Sequence, residues 1–318
     1  MIDFRRLSRE RHKILLVDDD RDVHLLSRMV LKSMSYAGRG VEILTAKSGE
    51  EALHILASCP NIAVVLLDVV METDRSGLET CDRIRNDLAN SFVRILLRTG
   101  QPGAAPERDV IQRYDIDGYL AKGDLTAARL FSSVRTSLKA FTELTRLEHH
   151  RAAFQKIDDT MLSMRSYESV ESMLERIVKT GIDVLDASEL AVHLALSTDA
   201  EREYSLLHAV GHDAVETDMR CTLLHRRITS WIREHDVLFH SEGVREPEIF
   251  ENGLLVRFVL DHGLGEGWIF AVVEDRDKLA RHCLSLISRH AANCFYGAAA
   301  QRQIDWSMQR PAAVALNL

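Results

Sequence analysis

Five short apolar runs, ILLV, VEILTA, AVVLLD, VRILLR and GYLA, recur between Lys13 and Ala121, separated by stretches with helical spacing. Each run is hydrophobic on both faces of a would-be strand, which is how parallel strands read when helices cover both sides of their sheet. Repeating that alternation predicts a doubly wound α/β domain of five parallel strands. In such domains ligands sit at the carboxyl ends of the strands. The polar chemistry falls there: Asp18, Asp19 and Asp20 after the first run, Asp68 at the end of the third, Thr99 after the fourth and Lys122 after the fifth.

The first of these clusters, KILLVDDDRD, sets three consecutive aspartates behind an apolar strand. Adjacent carboxylates repel and buried charge is costly, so a cation held among them is the economical reading. Strands one and three are neighbours in this architecture, which brings Asp18, Asp19 and Asp68 to one sheet edge. Their hard oxygens suit Mg²⁺. Three carboxylates, one divalent ion and Lys122 sum to zero charge, so the site is expected to be neutral with the metal bound and strained without it. A carboxylate beside Mg²⁺, faced by a hydroxyl and an ammonium, is equipped for phosphoryl transfer. Asp68 is the expected nucleophile, with Thr99 and Lys122 stabilising charge on the phosphoryl oxygens. Asp20, one residue further on, is expected to cap the helix that starts near Asp22.

ILLVDDD, VVLLDVVM, LLRTG and DGYLAK, in this order and approximate spacing, resemble the receiver domains of bacterial response regulators. The resemblance spans residues 12 to about 140 and implies a flavodoxin-like form of the doubly wound fold. It implies that Asp68 accepts phosphate from a phosphohistidine on a sensor histidine kinase or phosphotransfer protein, and that Asp18 and Asp19 form the acidic pair around Mg²⁺. It further implies that the backbone carbonyl of Val70 is a metal ligand, that Thr99 and Lys122 contact the phosphoryl group, and that Tyr119 is the aromatic switch following Thr99. Three departures stand out. The loop VVMETDRSGL is one residue longer than usual and carries Glu72 where receivers commonly place proline. Gly123 replaces the proline that usually follows the lysine, so a trans peptide is expected there. Val70 and Gln101 occupy the two variable positions that tune dephosphorylation. Together, LLDVVMETDRSGLE and RTGQPGAAPERDVIQRYDIDGYLAK resemble a receiver subfamily joined to a domain of unknown function, often followed by an HD-GYP cyclic-di-GMP phosphodiesterase or another output.

Asp124 to Ser166 lacks proline and glycine and reads as helix. Phe131, Val134, Leu138 and Phe141 keep one helical stripe and Phe154, Ile157, Met161 and Met164 another, with a change of register near Leu144 and Leu147. Such a helix can pair with a second copy as a short coiled coil, making a homodimer, or pack on its own chain. The expected organisation is a receiver at 10–140, a connector at 141–166, a GAF-like α+β domain at 167–307 and a tail at 308–318. The GAF-like reading rests on an opening helix (ESVESMLERIVKTGIDVLDA), the strand-like runs ELAVHLALS, YSLLHAVG and DVLFHSE, a hairpin in LLVRFVLDHGLGEGWIFAVVE, and a closing helix from about Lys278 to Ser307.

A length of 318 residues with 46% hydrophobic content fits two globular domains. No apolar run has membrane-spanning length and MIDFRRLSRERHK lacks the apolar centre of a signal peptide, so a cytoplasmic protein is expected. Cys59, Cys81, Cys221, Cys283 and Cys294 form no CxxC pair and read as reduced core residues. The net charge of −8 disfavours nucleic acid as the main partner, and no helix-turn-helix is evident. Arg5, Arg6, Arg9, Arg11 and Lys13 read as a solvated tail or a docking patch for an acidic partner. His212-Asp213, His235-Asp236 and the His282, Cys283, His290, Cys294 group do not make a convincing metal centre, and no GYP, GGDEF or EAL signature occurs. The first functional expectation is therefore a signalling protein with no enzyme beyond phosphoryl transfer to Asp68 and its autodephosphorylation. The second is a GAF-like ligand-binding or catalytic output, for example in cyclic-di-GMP signalling, controlled by the receiver. A phosphate sink in a relay is a third.

Overall fold

The computed structural model describes residues 10–59, 61–100, 113–124, 126–163, 170–197, 202–210, 213–216, 219–235, 243–244, 246–260, 265–274 and 278–309. The chain divides into two compact units, Met1–His149 and His150–Leu318.

The first unit contains β1 (His12–Val17), α1 (Arg21–Leu31), β2 (Ser35–Tyr36), β3 (Arg39–Ala46), α2 (Gly49–Ser58), β4 (Ile62–Asp68), α3 (Ser76–Asn86), β5 (Arg94–Thr99) and β6 (Gly118–Ala121). A 3₁₀ turn, Lys122–Asp124, follows β6, and α4 (Ala127–Ser163) begins in this unit. Strand order is β2-β3-β1-β4-β5-β6. The five longer strands are parallel, as the apolar runs predict, and β2 adds a two-residue antiparallel edge on β3. Every residue of β4 is buried. Its side chains alternate between two cores: Val65 and Leu67 join one with α2 and α3, while Val64 and Leu66 join the other with α1 and the start of α4. Each such Val or Leu contributes about 1.5–3 kcal/mol by leaving water, so the register of this central strand, and with it the placement of Asp68, is firmly held.

Helix α4 carries Leu130, Val134, Leu138 and Phe141 into the first unit's core, and further along Ala153 and Ile157 into that of the second. A single unbroken helix, Ala127–Ser163, thus stands where the stretch from Asp124 to Ser166 reads as helix, with 164–166 outside the described residues. Leu144 and Leu147, where the apolar stripe changes register, are exposed.

The second unit holds α5 (Val170–Leu185), β7 (Glu189–Ser197), β8 (Arg202–Val210), β9 (Asp213–Glu216), α6 (Met219–His235), β10 (Gly243–Val244), β11 (Glu248–Phe250), β12 (Gly253–Leu260), β13 (Gly265–Val272) and α7 (Lys278–Gln309). Its antiparallel sheet runs β10-β12-β13-β7-β8-β9, with β11 paired to β12. Period-two alternation divides each central strand between two layers. Leu190, Val192, Leu194, Leu254, Val256, Phe258, Ile269 and Ala271 pack with α5 and α7. Ala191, Leu255, Trp268 and Phe270 face Leu224 and Ile228 of α6. Helix α6 was not foreseen from the sequence. The predicted DVLFHSE strand, 236–242, lies outside the described residues, as do 261–264 of the predicted hairpin and 310–318 of the predicted tail.

Candidate functional site

Strand β1 ends at Val17, so Asp18 emerges at the carboxyl edge; it is fully buried, and its backbone N–H donates to the carbonyl of Ala46 at 3.2 Å. Asp20 caps α1, its side chain accepting from the Asp22 N–H, as expected. Asp68 is the last residue of β4 and is also buried. One of its oxygens, Oδ1, accepts the N–H of Val69 at 3.0 Å and the other, Oδ2, accepts from Lys122 Nζ at 2.7 Å. Lys122 Nζ lies 3.4 Å from Asp18 Oδ2.

Carboxylate oxygens of Asp18, Asp19 and Asp68 all lie within 4.8 Å of one another, with Asp19 exposed and the other two buried. The three predicted metal-site carboxylates thus meet. An all-oxygen donor set of this charge fits a hard divalent cation and offers nothing to a soft one. Val70 sits on the loop after β4 with an exposed side chain. Burial pushes the Asp68 carboxyl above its ordinary range, with the charge of Asp18 adding to the effect and Lys122 opposing it. For Lys122, burial works against the ammonium, but the hydrogen bond and charge of Asp68 prevail and hold its pKa above the usual lysine value.

Thr99 ends β5, buried, one residue beyond the Arg98 that pairs with Asp68 in register. Tyr119 stands on β6 opposite Leu97, while Thr99 stands opposite Ala121. Thr99 and Tyr119 therefore share one side of the sheet, where the tyrosine packs partly buried against the α2–α3 core. The Lys122–Gly123 peptide is trans, and Lys122 nevertheless reaches Asp68. Gln101 lies outside the described residues.

Two functional contacts escaped the sequence reading. Arg98, within VRILLR, is buried, and its NH2 group meets Asp18 Oδ2 at 2.6 Å while NH1 donates to Ser27 Oγ at 3.0 Å. The expected charge balance omitted this cation. Its signal was an arginine directly after the apolar run Ile95–Leu97 and before the strand-end Thr99. Glu72, noted only as a departure, accepts the backbone N–H of Gly49 at 3.0 Å, tying the loop after Asp68 to the start of α2. In the second unit His193, His225 and Trp268 form a ring cluster, with the imidazole centroids 4.4 Å apart and His225 stacked on Trp268 at 5.9 Å. Burial lowers the His225 pKa. Cys283 is buried, Cys294 half-buried, and His290 Nε2 lies 3.9 Å from Asp158. Among the described residues the acidic trio is the only grouping with metal-binding geometry. His212 and Asp236 lie outside the described residues, as do Arg5, Arg6 and Arg9.

A doubly wound sheet with two buried aspartates, a third beside them and a lysine at its carboxyl edge makes a site able to hold a hard divalent cation beside a strand-end carboxylate. Residues 14–135 match the response regulator receiver domain family, and the first unit is such a domain. A receiver implies a histidine kinase or a phosphotransfer protein as partner. Among curated proteins, the chain is 33% identical over 211 residues, 66% of its length, to 3'3'-cGAMP-specific phosphodiesterase 2 of Vibrio cholerae, covering 40% of that protein. That stretch exceeds the first unit, so the likeness extends into the second. The chain is also 31% identical over 111 residues, 35% of its length and 43% of the relative, to the transcriptional regulatory protein CpxR of Escherichia coli K12. It thus spans about two fifths of the length of these relatives. Among solved structures, a response regulator receiver domain protein from Clostridium thermocellum aligns at 25% identity and TM-score 0.36, covering 42% of this chain and 98% of that one. Among the described residues no helix is long and apolar enough to cross a membrane.

Proposed function

We propose that the chain is a phospho-accepting regulator in which Asp68 takes a phosphoryl group from the phosphohistidine of a sensor kinase or phosphotransfer protein. The N–P bond breaks as an Asp68 Oδ–P bond forms, and the leaving imidazole keeps the electron pair and regains a proton. Asp18, Asp19, Asp68 and the Val70 carbonyl are the proposed ligands of Mg²⁺, which when bound supplies positive charge to the phosphoryl oxygens. Lys122 holds the Asp68 carboxylate in place beforehand and shares the charge afterwards. Thr99, at the end of β5, contacts the phosphoryl group on Asp68, and Tyr119 follows it inward. The observation that most supports this reading is the 2.7 Å contact between Lys122 Nζ and Asp68 Oδ2 beside two further carboxylates.

In this reading the signal leaves through α4 and the second unit, whose strand order and two-layer helix cover support a GAF-like assignment. It biases dimerisation or partner docking in the cytoplasm, without an output enzyme in this chain. Incubation with acetyl phosphate and Mg²⁺ is expected to add one phosphoryl group at residue 68, detected by mass spectrometry, and none in Asp68→Ala. Absence of label in the wild type refutes the acceptor role.

A second reading draws on the likeness to a cyclic-dinucleotide phosphodiesterase beyond the first unit. In it the second unit binds or acts on a ligand of that class under receiver control. A ligand selective for the folded state raises the melting temperature, so a thermal-shift series with 3'3'-cGAMP, cyclic-di-GMP and haem on the whole chain discriminates. No shift with any of them leaves the first reading in place.

A further inference from the structure

We propose that Arg98 is a positioning residue of the acceptor site, holding the Asp18 carboxylate and supplying the charge that makes the site neutral only once Asp68 carries a phosphoryl group. This rests on the acceptor reading of Asp68. Arg98 projects from β5 on the same side as Leu96, and its side chain is 3% exposed. An apolar residue would satisfy that position at less desolvation cost, so a guanidinium there must have polar work to do. Its partners are Asp18 Oδ2 at 2.6 Å and Ser27 Oγ at 3.0 Å. With Asp18 Oδ1 accepting the Asp20 N–H at 3.0 Å, both oxygens of this carboxylate are engaged and its orientation is fixed.

Asp18, Asp19 and Asp68 set three negative charges against Lys122 and Arg98, leaving one negative charge in all. A divalent ion overshoots to one positive charge. Replacing the single charge of Asp68 by an aspartyl phosphate, close to dianionic at neutral pH, returns the sum to zero. Without Arg98 the sum is zero with metal alone and negative after phosphorylation. Arg98 therefore weakens the cation in the resting site, by competing for Asp18 and by repulsion, and favours the phosphorylated one.

The two effects move in opposite directions, which a merely structural arginine cannot mimic. In Arg98→Gln, calorimetric titration of the unphosphorylated protein is expected to give Mg²⁺ binding about tenfold tighter than wild type, from loss of one nearby charge at intermediate dielectric. The phosphorylated fraction reached with acetyl phosphate at saturating Mg²⁺ is expected to fall several-fold. Arg98→Lys keeps the charge and is expected to stay within about twofold of wild type in Mg²⁺ affinity. Weaker or unchanged Mg²⁺ binding in Arg98→Gln overturns the proposal. If that variant does not fold, a tenfold change in Arg98→Lys overturns it and wild-type-like affinity supports it. A wild type that takes no phosphoryl group refutes the acceptor reading alone, because the Mg²⁺ titrations still decide the competition for Asp18.

Discussion

Gly77 lies where α3 meets the strand that carries Asp68, and its N–H donates to the Val69 carbonyl at 3.0 Å. A methyl group added there would stand 2.0 Å from the Asp68 carbonyl oxygen and 2.7 Å from the Val69 Cα. Both are backbone atoms, so no rotamer change relieves the clash, and either α3 or the Asp68–Val69 peptide must give way to bring the 2.0 Å approach out to the 3.4 Å of ordinary contact. Overpacking of this kind costs about 1–3 kcal/mol, and contact with backbone belongs at the upper end. Alanine regains roughly 1 kcal/mol of helix propensity. The expected net loss for Gly77→Ala is about 2 kcal/mol, or roughly 6–10 °C in the melting temperature of the first unit. Gly123→Ala is the control, since nothing lies within 4 Å of its added carbon. Calorimetry of the whole chain reads the stability, and hydrogen exchange in peptides covering 66–78 reads the displacement. Gly77→Ala with unchanged melting and unchanged exchange at Asp68–Val69 would refute the claim that this close approach fixes Asp68.

Asp19→Asn removes an exposed proposed ligand and is expected to weaken Mg²⁺ binding with a melting temperature near wild type, whereas Asp18→Asn strands Arg98 in the interior and is expected to cost about 3 kcal/mol or more in chemical denaturation. Leu147, 65% exposed on α4, is the residue to change to Glu if that helix pairs with a second copy: sedimentation equilibrium is expected to show loss of dimer at unchanged helicity. Burial holds the folded-state pKa of His225 below the ordinary value of 6.5, so the unfolded chain takes up the proton first. Its contribution is complete above about pH 6.5 and is lost as pH falls toward the folded pKa; melting of the second unit in His225→Phe is expected to depend less on pH between 7.5 and 5.5. Glu72→Ala deletes the acceptor of the Gly49 N–H and is expected to cost about 1 kcal/mol, with faster hydrogen exchange in 69–76.

The first unit was legible because its strands are apolar on both faces and because consecutive aspartates after a strand repel one another unless a cation sits among them. Register was equally readable at β4, where IAVVLLD leaves no polar face to mistake. Arg98 was not recognised, since an arginine at a strand end reads as solvated until the pairing of β5 with β4 and the turn of α1 enclose it. Helix α6 was missed for a related reason. Arg220, Arg226, Arg227 and Arg233 interrupt the sequence so densely that the narrow stripe of Leu224, Ile228, Trp231 and Ile232 gives little signal, yet that stripe covers the second face of the sheet. The His193–His225–Trp268 cluster joins β7, α6 and β13, and only the antiparallel order brings those segments together.

Where the sequence departs from receivers generally, the missing restraints reappear in another form. Proline would fix one backbone dihedral in the loop after Asp68; Glu72 instead anchors that loop by accepting the first N–H of α2, an orphan donor at the positive end of the helix. The same helix start is closed by Ser48, which accepts from the Glu51 N–H at 3.1 Å, and by Glu51, which accepts from the Lys47 N–H at 2.7 Å. A single side chain thus links the loop after Asp68 to a helix start capped by Ser48. At the other departure Gly123 leaves the backbone after Lys122 unrestrained by a ring, and the ion pair to Asp68 holds the lysine. Its position consequently depends on the charge of Asp68, whose neutralisation leaves Lys122 with the longer 3.4 Å contact to Asp18, and the two cannot be treated as independent parts of the site.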